Sequence, residues 1–134
     1  ILLFVLILAE GVLGSQVREK TDALQKSHSA APRSEWAGEL EQSPTYLIHR
    51  SGSWAILLAS IMFFARAKKN KTGAKVLESL VLGIVLSQMC LGLILSHVGI
   101  LPIAQVFHIG LSSILVSALF LWLMGCYQSA RSEC

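Results

Sequence analysis

The stretch SLVLGIVLSQMCLGLILSHVGILPIAQVFHIGLSSILVSALFLWLMGCYQSA, residues 79–130, contains no Asp, Glu, Lys or Arg in 52 positions. A helix that crosses a bilayer needs roughly 20 predominantly apolar residues, so the stretch is long enough for two. Gly99 and Pro102 mark the break between them, because proline lacks the backbone donor that a helix interior requires. The composition of the whole chain agrees. Of its 134 residues 54% are hydrophobic and 14% charged, with a mean hydropathy of +0.64. An ordinary water-soluble domain is excluded, and an all-α, polytopic membrane protein is expected.

Working outward, the pattern predicts a single four-helix membrane domain over 1–134, with transmembrane helices over about 1–16, 46–66, 76–96 and 104–125. Between the second and third lies RAKKNKTGAK, residues 66–75, with Arg66, Lys68, Lys69, Lys71 and Lys75. The positive-inside rule places this loop in the cytoplasm. The net charge of +3 has this local source and does not imply a nucleic-acid partner. The loop 17–45, with four basic and five acidic residues, and the link SHVGILPIAQ (96–105) then face the outer side, and both ends of the chain face inward. Trp36 and Tyr46 read as interfacial aromatics, and a short amphipathic helix near 33–42 is an option within the loop. Ile1 already lies inside an apolar run with no basic region before it, which argues against a signal peptide; a fragment lacking an upstream half is expected. Cys90, Cys126 and Cys134 show no CxxC or zinc spacing and read as packing thiols.

Two ionisable side chains stand at matched depth. His49 lies about one turn into the second helix and His108 about one turn into the fourth. At 1.5 Å per residue, both imidazoles are roughly 5 Å below the outer helix ends. Two histidines on different helices at one level suit axial ligation of a haem iron, which takes an imidazole nitrogen on each face of a flat ring. Gly52, Gly110, Ser112 and Ser113 nearby would leave room for such a ligand, and Arg50 could neutralise a haem propionate. The plainer alternatives are interfacial histidines and an arginine that snorkels to water. Glu10 is either a packing residue or a hydrogen-bonding and proton-moving group inside the bundle. His97 is a possible ligand in the outer link; His28 and Glu78 read as solvated. Ser79, Ser87 and Gln88 read as interhelical hydrogen-bonding residues.

A faint internal repeat runs through the chain. Glu10 is followed four residues later by Gly14, and Gln88 four later by Gly92. Each pair opens a hairpin whose second helix carries a histidine near its start. Repeats of this kind are common in membrane folds; two packing notches would give the same spacing.

YLIHRSGSWAILL (46–58), the basic loop, LGIVLSQMCLGLILSHVGILP (82–102) and VFHIGLSSILVSALF (106–120), in this order, resemble the carboxy-terminal half of haem A synthase. GSQVREKTD (14–22) is similar to the segment after the fifth helix of some members. The resemblance spans nearly the whole chain and is best from Tyr46 to Gly125. It implies an eight-helix enzyme of two similar four-helix halves, each with a histidine pair. That enzyme oxidises the C8 methyl of haem O to the formyl group of haem A for cytochrome oxidase. His49 and His108 fall on the positions that ligate a haem b cofactor through bis-histidine coordination of its iron, with Arg50 beside them.

The implied partners are the amino-terminal half of the same enzyme, haem O as substrate, haem O synthase, an electron donor and the lipid bilayer. The implied location is a bacterial cytoplasmic or mitochondrial inner membrane. Tyr46 departs from the pattern of the amino-terminal half, which has a glutamate three residues before its histidine. The paired outer-loop cysteines of that half are also missing. The chain alone is therefore not expected to oxidise haem O, and no catalytic residue is assigned to it. The alternative is a small membrane cytochrome b carrying electrons between quinone and another haem protein. A haem-free scaffold is the third reading.

Overall fold

The computed structural model describes residues 1–29, 31–70, 75–99 and 101–132. Among them the chain is all-helical: α1 (Leu2–Ser27), α2 (Arg33–Glu41), α3 (Pro44–Asn70), α4 (Lys75–His97) and α5 (Pro102–Ser132). α4 packs most extensively on α5, and α1 on α3, so the bundle is two antiparallel hairpins laid side by side. The α3–α4 and α1–α5 contacts join them.

The expected break between the last two long helices falls at Gly99, the described glycine with a positive φ, 144°. That backbone setting favours glycine, which has no Cβ to clash. Pro102 then opens α5, at the helical position where its missing N–H costs nothing. The basic loop is only partly described. Arg66, Lys68 and Lys69 ride on the last turns of α3, while residues 71–74 lie outside the described residues. Cys134 lies outside them too.

Among the described residues three helices are long and apolar enough to cross a membrane: α3, α4 and α5. The expectation of a fourth is not met by α1. Any 18-residue window within it takes in Glu10, Arg18 and Glu19. The first helix also runs well past residue 16, and the expected outer loop 17–45 is mostly helix. Val17, Thr21 and Leu24 recur on one face of the α1 extension, where Thr21 and Leu24 are buried, and the intervening Arg18, Glu19, Lys20, Ala23 and Gln25 are good or tolerated helix formers. α2 folds back onto that face. Trp36 and Leu40 join Leu24 in a small core against which Tyr46 packs. Trp36, expected at an interface, is therefore buried, at 4% exposure.

The chain exposes 8874 Å², whereas a compact water-soluble monomer of its mass exposes roughly 6,900 Å². Much of the excess is apolar. Val76, Ile103, Val106 and Phe107 are each more than half exposed. In water such a surface would aggregate; against lipid it is ordinary. Lipid tails also remove most of the hydrophobic drive between helices, so cohesion falls to close packing and polar links. The core is a narrow column of Leu3, Ile7, Ile56, Val81, Val85, Leu115 and Leu119, closed at one end by Phe63 and Trp122, whose rings meet edge to face at 4.7 Å. Glu78, expected to be solvated, lies in this column at 2% exposure and accepts a hydrogen bond from Trp122 Nε1 at 3.2 Å.

Candidate functional site

The two hairpins are built to one plan. A shift of 78 positions carries Leu3, Ile7, Glu10 and Gly14 of α1 onto Val81, Val85, Gln88 and Gly92 of α4. A shift of 59 carries His49, Ser53, Ile56 and Phe63 of α3 onto His108, Ser112, Leu115 and Trp122 of α5. Paired positions play paired parts: Leu3, Ile7, Ile56 and their counterparts are all buried. Phe63 and Trp122 are each other's counterparts, so their contact lies on the pseudo-two-fold that relates the hairpins.

Near the other end, this relationship produces two matching half-sites. In the first, Glu10 Oε1 lies 2.9 Å from His49 Nδ1. The approach is out of line for a ring N–H bond, so Nδ1 keeps a charge contact without an aligned partner. Ser53 Oγ stands 2.6 Å from the same carboxylate oxygen and 2.9 Å from the His49 carbonyl, and its one proton serves both. In the second, Gln88 Nε2 donates to the His108 carbonyl at 2.7 Å and to Ser112 Oγ at 2.8 Å. Ser112 in turn donates to the same carbonyl at 2.9 Å. A carboxylate on one side is thus matched by an amide on the other.

Small residues set the separation of the helices. A Cβ on Gly14 would come 3.3 Å from His49 Cε1, and one on Gly92 would come 4.0 Å from His108 Cε1. A Cβ on Gly52 would collide with Glu10 Oε2, so only glycine lets the carboxylate into the α1–α3 gap. The two imidazoles thus take equivalent places, His49 over Gly14 of α1 and His108 over Gly92 of α4.

Buried polar atoms without an aligned partner gather here. Among the described residues they are His49 Nδ1, His108 Nδ1, Gln88 Oε1, Arg33 Nη1 and Ser60 Oγ. The first three belong to the half-sites, and Arg33 stands above them. Native interiors satisfy nearly all such groups, so three exceptions at the half-sites set this end of the bundle apart.

Other expected participants lie elsewhere. Arg50 is exposed, as are Gly110 and Ser113. Ser113 and Ser87 bond only to carbonyls of their own helices, those of Ile109 and Gly83. His97 is exposed at the end of α4. His28 caps α1, its Nδ1 lying 3.1 Å from the Leu24 carbonyl. Cys90 and Cys126 are free and exposed. No group of three or more metal-binding side chains occurs among the described residues; a two-imidazole site requires none. Two surface hollows, one along Arg18, Asp22 and Lys26 of α1 and one along Leu47, Ser51 and Ala55 of α3, take no part in the histidine pair.

Sequence reasoning missed Arg33. Its Nη2 donates to the carbonyls of Leu95 (3.0 Å) and Ser96 (3.4 Å) at the end of α4. No signal in the sequence distinguishes it from the other charges of its segment. Compared with known proteins, the chain matches no family model, no curated protein and no solved structure.

Proposed function

We propose that the chain is a membrane-embedded haem-binding unit, the haem b-binding half of a haem A synthase-like oxidoreductase, with His49 and His108 as the axial ligands. One observation carries the reading. Two histidines at equivalent positions of pseudo-symmetric helices each lie over a glycine of the neighbouring helix, and the Nδ1 of each has no aligned protein partner. A flat ligand with two equivalent faces is the natural occupant of such a position.

The residues present fit that group. His49 and His108 supply two imidazole donors. Gly14 and Gly92 let the rings lie against α1 and α4. Ser53, Ser112 and Gln88 hold the backbone at the first turns of α3 and α5, and so fix where each ring stands. The column of Ile7, Val85, Ile56 and Leu115 below keeps water out. Bound haem would supply one-electron transfer, and its potential would be set by these ligands and the surrounding polarity. Arg50 remains the candidate for an acid group reached from the exposed side. In the proposed orientation the basic end of α3 faces the cytoplasm, which puts the histidines towards the outer leaflet. Oxidation of haem O would belong to a partner half bearing the glutamate that Tyr46 replaces. Haem O synthase and an electron donor would complete the assembly.

The test is the reduced-minus-oxidised visible spectrum of the chain purified in detergent, with His49→Ala and His108→Ala beside it. A sharp low-spin b-type spectrum, lost or converted to high spin in both variants, is the expected result. A folded, helical chain that takes up no haem would sink the reading. The same spectrum would serve a small electron-carrying cytochrome b. Activity towards haem O in the presence of an amino-terminal half separates the two.

A further inference from the structure

We infer that Arg33 is the anion receptor at the rim of the site and takes a carboxylate of the bound ligand. The inference rests on the haem-binding reading. It starts from an imbalance. The guanidinium carries a full charge at any ordinary pH and has five donors to place. Nη2 is used on the carbonyls of Leu95 and Ser96. Nη1 is buried and has no partner. Among the described residues, no carboxylate is paired with Arg33. The carbonyl end of α4 offsets the charge only in part. A partly enclosed cation with an idle donor is costly unless an anion completes it.

Its position relates it to the histidines. Ser96 stands four residues beyond Gly92, the residue that faces the His108 ring, which at 1.5 Å per residue is about 6 Å along the axis. Tyr46, one turn before His49, reaches the same point, its hydroxyl 2.5 Å from Ser96 Oγ. The guanidinium, carried by the first residue of α2 and bonded to the end of α4, therefore lies about one turn above the level of Gly92 and the His108 ring. Its place one turn above the half-sites sets it over the ligand's edge, so the ligand's own carboxylate is the occupant, and a lipid headgroup is the alternative the test separates. A planar fork also suits a carboxylate, which it can engage through two parallel bonds.

Protohaem and its dimethyl ester differ only in the acid groups and are the probes. Each is titrated into the haem-free chain in neutral detergent and followed by the Soret band, for the parent, Arg33→Gln, Arg33→Lys and the exposed control Arg18→Gln. The parent is expected to bind the acid at least tenfold more tightly than the ester. Arg33→Gln should bring that ratio to within about twofold, Arg33→Lys should retain part of it, and Arg18→Gln should leave it intact. A ratio unchanged in Arg33→Gln, with the low-spin spectrum preserved, overturns the inference while leaving the histidine ligands standing. Equal weakening of both probes makes Arg33 a strut for α2 and also overturns it. If added phosphatidylglycerol abolishes the preference in the parent, a headgroup is the occupant and the inference falls. If neither probe gives a bis-imidazole spectrum, the haem reading fails first.

Discussion

Glu10 Oε1 stands 2.9 Å from His49 Nδ1 across the α1–α3 interface. The same carboxylate oxygen is held by Ser53, so one side chain of α1 fastens two positions of α3. Removing it as Glu10→Ala leaves an imidazole and a hydroxyl facing a gap, and is expected to destabilise the bundle by about 1–3 kcal/mol. Glu10→Gln keeps the link to Ser53 and should cost less. Unfolding of the detergent-solubilised chain, followed by helical circular dichroism, measures both. Equal stability of Glu10→Ala and the parent would remove this contact from the account.

The glycines should separate by what an added methyl meets. Gly52→Ala drives a Cβ into Glu10 Oε2 and should be the most damaging. Gly14→Ala, at 3.3 Å from the His49 ring, should be intermediate, and Gly92→Ala, at 4.0 Å from His108, near neutral. Gly11→Ala meets nothing within 4 Å and should stabilise by up to about 1 kcal/mol through helix propensity. A different rank order in the same unfolding assay would mean that the helices are spaced by something else.

Gln88 and Ser112 should behave as one unit, since both converge on the His108 carbonyl. Gln88→Leu is expected to cost about 0.6–2 kcal/mol, the range of interhelical hydrogen bonds in membranes. A double-mutant cycle with Ser112→Ala should show a coupling of at least about 0.5 kcal/mol. Strict additivity would contradict the bonding pattern.

At the opposite end, Trp122→Phe keeps a ring against Phe63 but removes the donor to Glu78. With an acceptor this deeply buried, the expected cost is about 1–3 kcal/mol. Trp122→Ala loses the ring as well and should cost more, about 3–5 kcal/mol. Parity between Trp122→Phe and the parent would deny the hydrogen bond any role.

Trp36→Ala should act locally. It empties the small core shared with Leu24 and Leu40 without touching the main column. Protease cleavage between residues 28 and 43 is expected to rise at least tenfold while the helicity of the bundle persists. Global unfolding instead would show that α2 is integral to the bundle.

Much of the fold could be read from charge alone. The run of residues 79–130 yields α4 and α5 because lipid and acidic or basic side chains exclude one another, and Gly99 with Pro102 gives their boundary. The equivalence of the two histidine positions and the Glu10/Gln88 repeat were legible because regular helices preserve spacing as depth. The extension of α1 was hidden: its charges resemble a loop, and helix formation there depends on α2 covering Thr21 and Leu24. Trp36 and Glu78 were misplaced for a related reason, since burial is decided by a neighbour remote in sequence. Arg33 was invisible because an idle donor exists only in three dimensions.

The two halves of the bundle differ most in what covers them. The first hairpin has 19 more residues between matched positions (Gly14 to His49) than the second (Gly92 to His108), the difference between shifts of 78 and 59 positions, and α2 lies within that longer connection. A two-fold core by itself would accept an unsymmetrical guest either way round, giving a racemate of poses. With α2 and Arg33 on one side only, the proposed site would lose that degeneracy: the cap would act as a key that admits one heading, and a guest that entered reversed would find its acidic edge unanswered.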